Sequence, residues 1–301
     1  MSASALTLTV VVPFLDEEAY LPRFLKSMAG QTRPPDELLL IDDGSRDGSP
    51  DIAAAFTREH SYARCVRLPS RPHEPDRLAT AAEFKAFQFG CSRSEIAADV
   101  VAKLDADLEL QPTHFAEILD AMDQDRGLGV VGAYLAKRLP TGELLRETHS
   151  ENHVRGPNKF YRRACLEEIL ALPPFLGWDA IDDVKARRDG WRTKNIALSA
   201  GDSIHLRPTG LHDGRLRAFR RWGQAHYVSG SHPLKMIAGS LWRFGERPYV
   251  LCGVNYFYGW AAAAARRTPR FEPTLLQYRR REDLRRIRSM LTPRRLHRLA
   301  R

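Results

Sequence analysis

Two carboxylates one residue apart, Asp105 and Asp107, close the apolar run Val100-Val101-Ala102-Lys103-Leu104. Acids this close repel each other unless a cation lies between them or they share a proton. A divalent cation answers that need, being hard, oxygen-seeking and able to carry phosphates. A surface turn with two solvated acids is the plain alternative. A second pair, Asp42-Asp43, follows another apolar run and precedes Gly44-Ser45. A carboxylate at that edge can accept from a nucleobase N–H, and the glycine lets backbone approach a ligand. The competing role is a capped turn, with Asp and Ser satisfying the first N–H groups of the next helix. The spacing G-x-G-x-x-G is absent, which argues against a nicotinamide cofactor. Lys103, two residues before the first acid, reads as an edge charge.

The surrounding elements decide whether these acids meet. Residues 6–14 (LTLTVVVPF) read as a strand. Residues 16–29 read as a helix, with Leu21, Phe24, Leu25 and Met28 at helical spacing. After Pro34-Pro35 come a strand at 37–41, a helix at 50–60, a weaker strand at 65–68 and a Pro-rich charged loop at 70–77. A helix at 78–91 leads into the strand that carries the acids. The order βαβαβαβ predicts an α/β fold: a doubly wound, mostly parallel central sheet flanked by helices, with right-handed crossovers. Ligands bind such sheets at the carboxyl ends of the strands. The loops after strands one, two and four therefore share an edge, bringing Asp16 and Glu17, Asp42 and Asp43, and Asp105 and Asp107 together. Downstream, the pattern predicts a helix at 112–125, a strand at 129–136, a polar excursion over the site at 141–158 and a helix at 159–172. A loop at 175–183 ends in a third acidic pair, Asp182-Asp183. A short helix at 184–190 and a strand at 191–198 follow, and residues 202–206 carry His205.

Composition bounds the partners. The chain has 301 residues, 43% of them hydrophobic, and a net charge of +9. The excess of arginine falls after residue 205, which suggests an anionic partner. Cys65, Cys91, Cys165 and Cys252 lie far apart, with no zinc or redox spacing, so free thiols in a reducing compartment are expected. Residues 1–9 lack the basic start of a signal peptide. Residues 249–265 (YVLCGVNYFYGWAAAAA) are uncharged and flanked by Arg247 and Arg266-Arg267. The stretch is shorter than the ~20 residues of a spanning helix. With the basic tail at 277–301, it suits an anionic membrane surface; a buried helical hairpin with a solvated tail is the alternative. Nucleic acid is not expected, since no binding motif accompanies the charge. The division expected is a catalytic domain at 1–210 and a helical, basic, membrane-associating extension at 211–301.

VVVPFLDEE, LLLIDDGSRDGS and KLDADLEL, in that order, resemble the nucleotide-sugar-binding half of family 2 glycosyltransferases with the GT-A fold. The likeness covers roughly the first 110 residues, and WDAIDD with His205 extends it to about 210. It implies that Pro13, Asp16 and Asp43 hold the base of a nucleoside diphosphate sugar, with Glu17 in the same loop. Leu15-Asp16 replaces the more usual Tyr-Asn, so an aromatic stack on the base is lost. It implies a divalent cation, Mn2+ or Mg2+, on the diphosphate. Asp107 is then the direct ligand, and Asp105 reaches the ribose or the water shell of the metal. His205 matches a further ligand position, and Arg207 a phosphate partner. Asp182-Asp183 matches the acidic motif of the catalytic base of an inverting transfer, with the choice between the two acids open. Trp178 is a sugar platform or a packing residue. Arg217, Arg220, Arg221 and Trp222 do not meet the Gln-x-x-Arg-Trp form of processive members. The activity implied is transfer from a nucleoside diphosphate sugar, UDP-linked, to a hydroxyl of a glycan or lipid-linked acceptor. The setting is surface or exopolysaccharide synthesis at the cytoplasmic, inner face of the membrane. A polyprenyl-phosphate glycosyltransferase is the rival enzyme. A non-catalytic membrane- or nucleic-acid-binding protein on the same fold is the rival of another class.

Overall fold

The structure is a computed structural model, which describes residues 5–69, 76–147, 152–207 and 214–290. In chain order the elements are β1 (Leu8–Phe14), α1 (Leu21–Ala29), β2 (Glu37–Asp42), α2 (Ser49–Glu59), β3 (Ala63–Arg67), α3 (Ala82–Cys91), β4 (Val100–Leu104) and β5 (Leu108–Glu109). Then follow α4 (His114–Gln124), β6 (Leu128–Ala133), β7 (Leu135–Arg138), β8 (Leu144–Arg146), β9 (Asn158–Arg162), α5 (Arg163–Leu170), α6 (Trp178–Arg188), β10 (Arg192–Ile196) and β11 (Ser203–His205). The chain continues through α7 (Arg215–Val228), α8 (Pro233–Trp242), a 3-10 turn at Arg243–Gly245, α9 (Leu251–Ala265) and α10 (Pro273–Met290). It divides into two compact units, residues 1–174 with 189–208 and residues 175–188 with 209–301.

The first unit holds a seven-stranded sheet in the order β10-β6-β9-β4-β1-β2-β3. The pairs β1–β2, β1–β4, β2–β3 and β6–β10 are parallel, as the βαβ order predicts. Helices cover both faces of such a sheet, so its strands are apolar throughout rather than alternating. All of Val10, Val11, Val12, Leu38, Leu39, Leu40 and Ile41 are fully buried. Phe24 and Met28 of α1 and Phe115, Ile118 and Leu119 of α4 pack into the same core.

Three expected elements of this unit differ. Residues 159–172, read as one helix, begin with β9, which lies antiparallel between β4 and β6 and sets Phe160 opposite Ala102 and Val131. Burial between two apolar strands outweighs the local helical pattern. Residues 129–136 form two strands. The chain turns at Tyr134, whose N–H bonds Ile196 O at 3.0 Å, and β7 enters a second, four-stranded sheet, β5-β11-β7-β8. Part of the 141–158 excursion is β8 of that sheet, and 148–151 lie outside the described residues.

The second unit contains α6, α7, α8, α9 and α10. Residues 175–183, read as a loop, are helical from Trp178 onward. Gly177 adopts φ +84°, a value that glycine holds without strain, and its carbonyl accepts from Ala180 and Ile181 at 3.2 Å to start the helix. The Arg187 guanidinium pairs with both carboxylate oxygens of Glu282 at 2.8 and 2.9 Å, tying α6 to α10. Phe219, Met236, Cys252 and Tyr256 form the core shared by α7, α8 and α9.

Candidate functional site

The acids after β1, β2 and β4 meet at the carboxyl edge of the sheet. Asp16 sits in the left-handed region at φ 53°, a conformation that acids tolerate better than bulky residues. Its N–H donates to Ser45 Oγ at 3.1 Å, and its carboxylate accepts from the N–H of Arg46 at 2.7 Å. Glu17 and Glu18 N–H groups donate to Ser49 Oγ and Asp47 Oδ2. The loop after β1 is thus stitched to the loop after β2. The adjacent acids of β2 divide their roles. Asp42 is 1% exposed and caps the turn, accepting from Gly44 N at 3.1 Å and Ser45 N at 2.8 Å. Asp43 pairs with Arg77, and its N–H donates to Phe14 O at 2.9 Å. Pro13 lies half-buried in β1, opposite Ile41.

Asp105 and Asp107 face different basic side chains. The Lys103 ammonium is 1% exposed, pairs with Asp105 and Glu83, and donates to Gly156 O at 3.1 Å. The edge charge expected at Lys103 is therefore a buried counter-ion, because strand alternation turns it beneath the acid that follows. Asp107 is 8% exposed. Its Oδ1 lies 3.5 Å from His205 Nε2 and its Oδ2 lies 3.5 Å from Arg207 Nε. Its backbone carbonyl accepts from Leu206 N at 2.9 Å, and β5 pairs with β11 so that His205 lies opposite Leu108. The second sheet thereby delivers His205 and Arg207 to the acid.

The electrostatics extend one layer further. The Arg207 guanidinium pairs with Glu17 and lies over the Tyr20 ring at 4.8 Å. Burial pushes the Glu17 carboxyl up to about 7; the charges of Asp107 and Asp105 add to this, and Arg207 opposes it. His205 Nδ1 lies 3.6 Å from Glu147 Oε1, and Glu147 in turn pairs with Arg155. Sequence reasoning missed Glu147, Arg155, Arg77 and Glu83. Each is a lone charge in a polar stretch or on a helix, and spacing alone does not mark it.

The donor set suits a hard cation. Among the described residues the buried Asp107 Oδ1 has no hydrogen-bond partner; a carboxylate oxygen suits Mn2+ or Mg2+, and the imidazole nitrogen beside it suits Mn2+ better. Among the described residues no group of three or more His, Cys, Asp or Glu side chains is assembled to hold a metal.

Asp182 and Asp183 lie in the second unit and begin the second turn of α6, 0% and 1% exposed. Asp182 Oδ1 accepts from the Asp183 N–H at 2.6 Å. Trp178 opens that helix and is 5% exposed.

The family model described as "Glycosyl transferase family 2" matches residues 9–175. Among curated relatives, the putative glycosyltransferase EpsH of Bacillus subtilis is 25% identical over 167 residues, covering 56% of this chain and 44% of that protein. The undecaprenyl-phosphate 4-deoxy-4-formamido-L-arabinose transferase of Pseudomonas aeruginosa (strain PAO1) is 29% identical over 178 residues, covering 54% of this chain and 49% of that protein. The chain thus spans less than half the length of these relatives. Among solved structures, the mannosyltransferase PcManGT of Pyrobaculum calidifontis, in complex with GDP-Man and Mn2+, aligns with TM-score 0.54 and 19% identity over 86% of this chain and 75% of that one. TarS 1-349 of S. aureus aligns with TM-score 0.53 and 15% identity, covering 85% and 70%. These structural likenesses establish a GT-A-like fold.

Proposed function

The chain belongs to glycosyl transferase family 2, and we propose that it transfers a sugar with inversion from a UDP-linked donor to a hydroxyl of a glycan or lipid-linked acceptor. The reaction serves surface or exopolysaccharide synthesis at the inner face of the membrane. The observation that carries this reading is the convergence of His205 and Arg207 on the two carboxylate oxygens of Asp107 at 3.5 Å, one of which, Oδ1, is buried with no hydrogen-bond partner among the described residues. PcManGT, which shares the fold, is in complex with GDP-Man and Mn2+, and a nucleoside diphosphate sugar with a divalent cation is the ligand pair proposed for this chain.

Asp107 and His205 would hold a divalent cation, which when bound neutralises the diphosphate that departs. Arg207 is poised for a phosphate oxygen, exchanging its Glu17 partner for a charge-assisted bond to the donor. Glu17, held near neutrality by burial, adds little repulsion against that diphosphate when protonated. Asp43, with Pro13 and Asp16, takes the base. Asp105, neutralised by Lys103, is left to hydrogen-bond the ribose or a metal-bound water. The resemblance gives the acceptor's proton to a carboxylate of the Asp182-Asp183 pair; Trp178, 5% exposed, is a sugar platform or a packing residue.

A polyprenyl phosphate acceptor is the second reading, favoured by the names of the Pseudomonas and Serratia relatives. It needs no base, since a phosphate is already ionised. The test is a donor screen with UDP-, GDP- and dTDP-sugars, with Mn2+, with Mg2+ and with chelator. Metal-dependent transfer or hydrolysis of a UDP-sugar supports the reading. Turnover unaffected by chelator would overturn it.

A further inference from the structure

The helices α8 and α9 of the second unit are built inside out. On α8, Leu234, Ile237 and Leu241 follow one another at i, i+3 and i+7 and are 53%, 48% and 59% exposed. On α9, Leu251, Val254 and Tyr258 repeat that spacing at 48%, 48% and 49% exposed. Trp242, where α8 ends, is 80% exposed. A water-facing helix shows the reverse, with its large apolar side chains inward and its charges outward.

The inversion follows from the glycines. A Cβ on Gly259 would meet Arg220 O at 1.9 Å, one on Gly223 would meet Tyr256 O at 1.9 Å, and one on Gly253 would meet Ser240 O at 2.2 Å. The helix α9 therefore touches α7 and α8 nearly backbone to backbone. Beside these glycines the contact faces bury only a few large side chains, Phe219, Met236 and Tyr256, and the aliphatic stripes of α8 and α9 are left outside.

The charges around this surface have one sign. From residue 233 to 271 the single acid is Glu246, and it pairs with Arg215 at 3.2 Å. Exposed Arg247 lies beside the Tyr249 ring at 5.7 Å, and exposed Arg220 lies over Tyr258 at 4.5 Å. Arg266 and Arg267 close α9 and are exposed. Residues 211–301 carry twenty Lys and Arg against five Asp and Glu.

From these observations we infer that the α8–α9 face docks onto an anionic lipid bilayer as a surface-bound element, with its aliphatic stripes among the acyl chains and its arginines at the headgroups. Aromatic residues paired with arginine suit the boundary between headgroup and hydrocarbon. Anionic headgroups complement the arginine rim, whereas a second copy of the chain would set that rim against itself. Among the described residues no helix is long and apolar enough to cross a membrane, so the docking is interfacial. It needs neither donor nor acceptor and stands apart from the transfer reaction.

The test is flotation of the full chain with vesicles of phosphatidylcholine, with and without phosphatidylglycerol, alongside L241E/W242E. Both substituted positions are exposed, so the thermal transition of the variant should match that of the native chain. Partition onto the anionic vesicles is expected, weakened about tenfold or more in the variant. Brominated lipid should quench native fluorescence by an amount that Trp242→Phe removes. The second variant, R247A/R266A/R267A, should lose the preference for anionic over neutral vesicles. No partition, or equal partition of native chain and L241E/W242E, overturns the inference. So does a native dimer that L241E/W242E dissociates while vesicles are ignored.

Discussion

His114 should titrate far below an ordinary histidine, and its proton should report on the scaffold that positions His205. The ring is fully buried. Its Nε2 lies 3.0 Å from Asn158 Oδ1, and its Nδ1 lies 2.7 Å from Ser203 Oγ. Asn158 donates through Nδ2 to Ala133 O at 2.8 Å, which fixes its Oδ1 toward the ring as an acceptor. The proton is therefore assigned to Nε2, and Nδ1 accepts from the Ser203 hydroxyl. Ser203 begins the strand that carries His205, and Asn158 pairs with Leu104 just before Asp105. Burial of a ring already satisfied in its neutral form pushes His114 down to about 4 from 6.5. That displacement corresponds to ~3 kcal/mol in favour of the neutral ring. The native state binds fewer protons than the unfolded chain between those values. The stability contribution is therefore complete above pH 6.5, falls as pH drops toward 4, and is flat below. At pH 5.5 the loss is ~1 kcal/mol. Ring NMR of the native chain reads the titration directly. Denaturant unfolding of native chain and His114→Gln, at pH 7.5 and 5.5, reads the energy as a difference of differences, which cancels groups such as Glu17 that act in the opposite direction. A ring titrating near 6.5, or a variant with the native pH profile, refutes the reasoning.

Two further substitutions probe the site. Lys103→Met leaves Asp105 and Glu83 without their buried cation and should cost about 3 kcal/mol, seen as a lowered thermal transition; an unchanged transition would show that Lys103 bears no buried pair. Asp182→Asn and Asp183→Asn should differ, the base variant losing about 100-fold or more in turnover while UDP affinity holds. Native turnover in both would remove the pair from the chemistry.

Most of the parallel sheet was legible because its strands are short apolar runs separated by helices with clear periodicity. The acids after β1, β2 and β4 met as expected, since the βαβ order dictates which strand ends share an edge. What escaped was non-local. β9 reads locally as the start of a helix and becomes a strand through its pairing with β4 and β6. The helix α6 was hidden by its interior acids, although Trp178, Ile181 and Val184 keep helical spacing. Lys103 looked exposed because a charge on a strand usually is; Glu83, its second partner, lies twenty residues away on α3. Glu147 reaches His205 only because β7 and β8 fold back as a hairpin beside β11. Of the basic tail expected at 277–301, residues 277–290 belong to α10 and 291–301 lie outside the described residues, as does the expected domain boundary at 210.

The central claim is that Asp107 anchors a metal and through it a nucleoside diphosphate. Calorimetry of UDP binding, with Mn2+ and with chelator, on the native chain and on Asp107→Ala tests it most directly. The account predicts UDP binding to the native chain that depends on Mn2+, and loss of that dependence in Asp107→Ala. Equal, Mn2+-enhanced binding by both chains would contradict it.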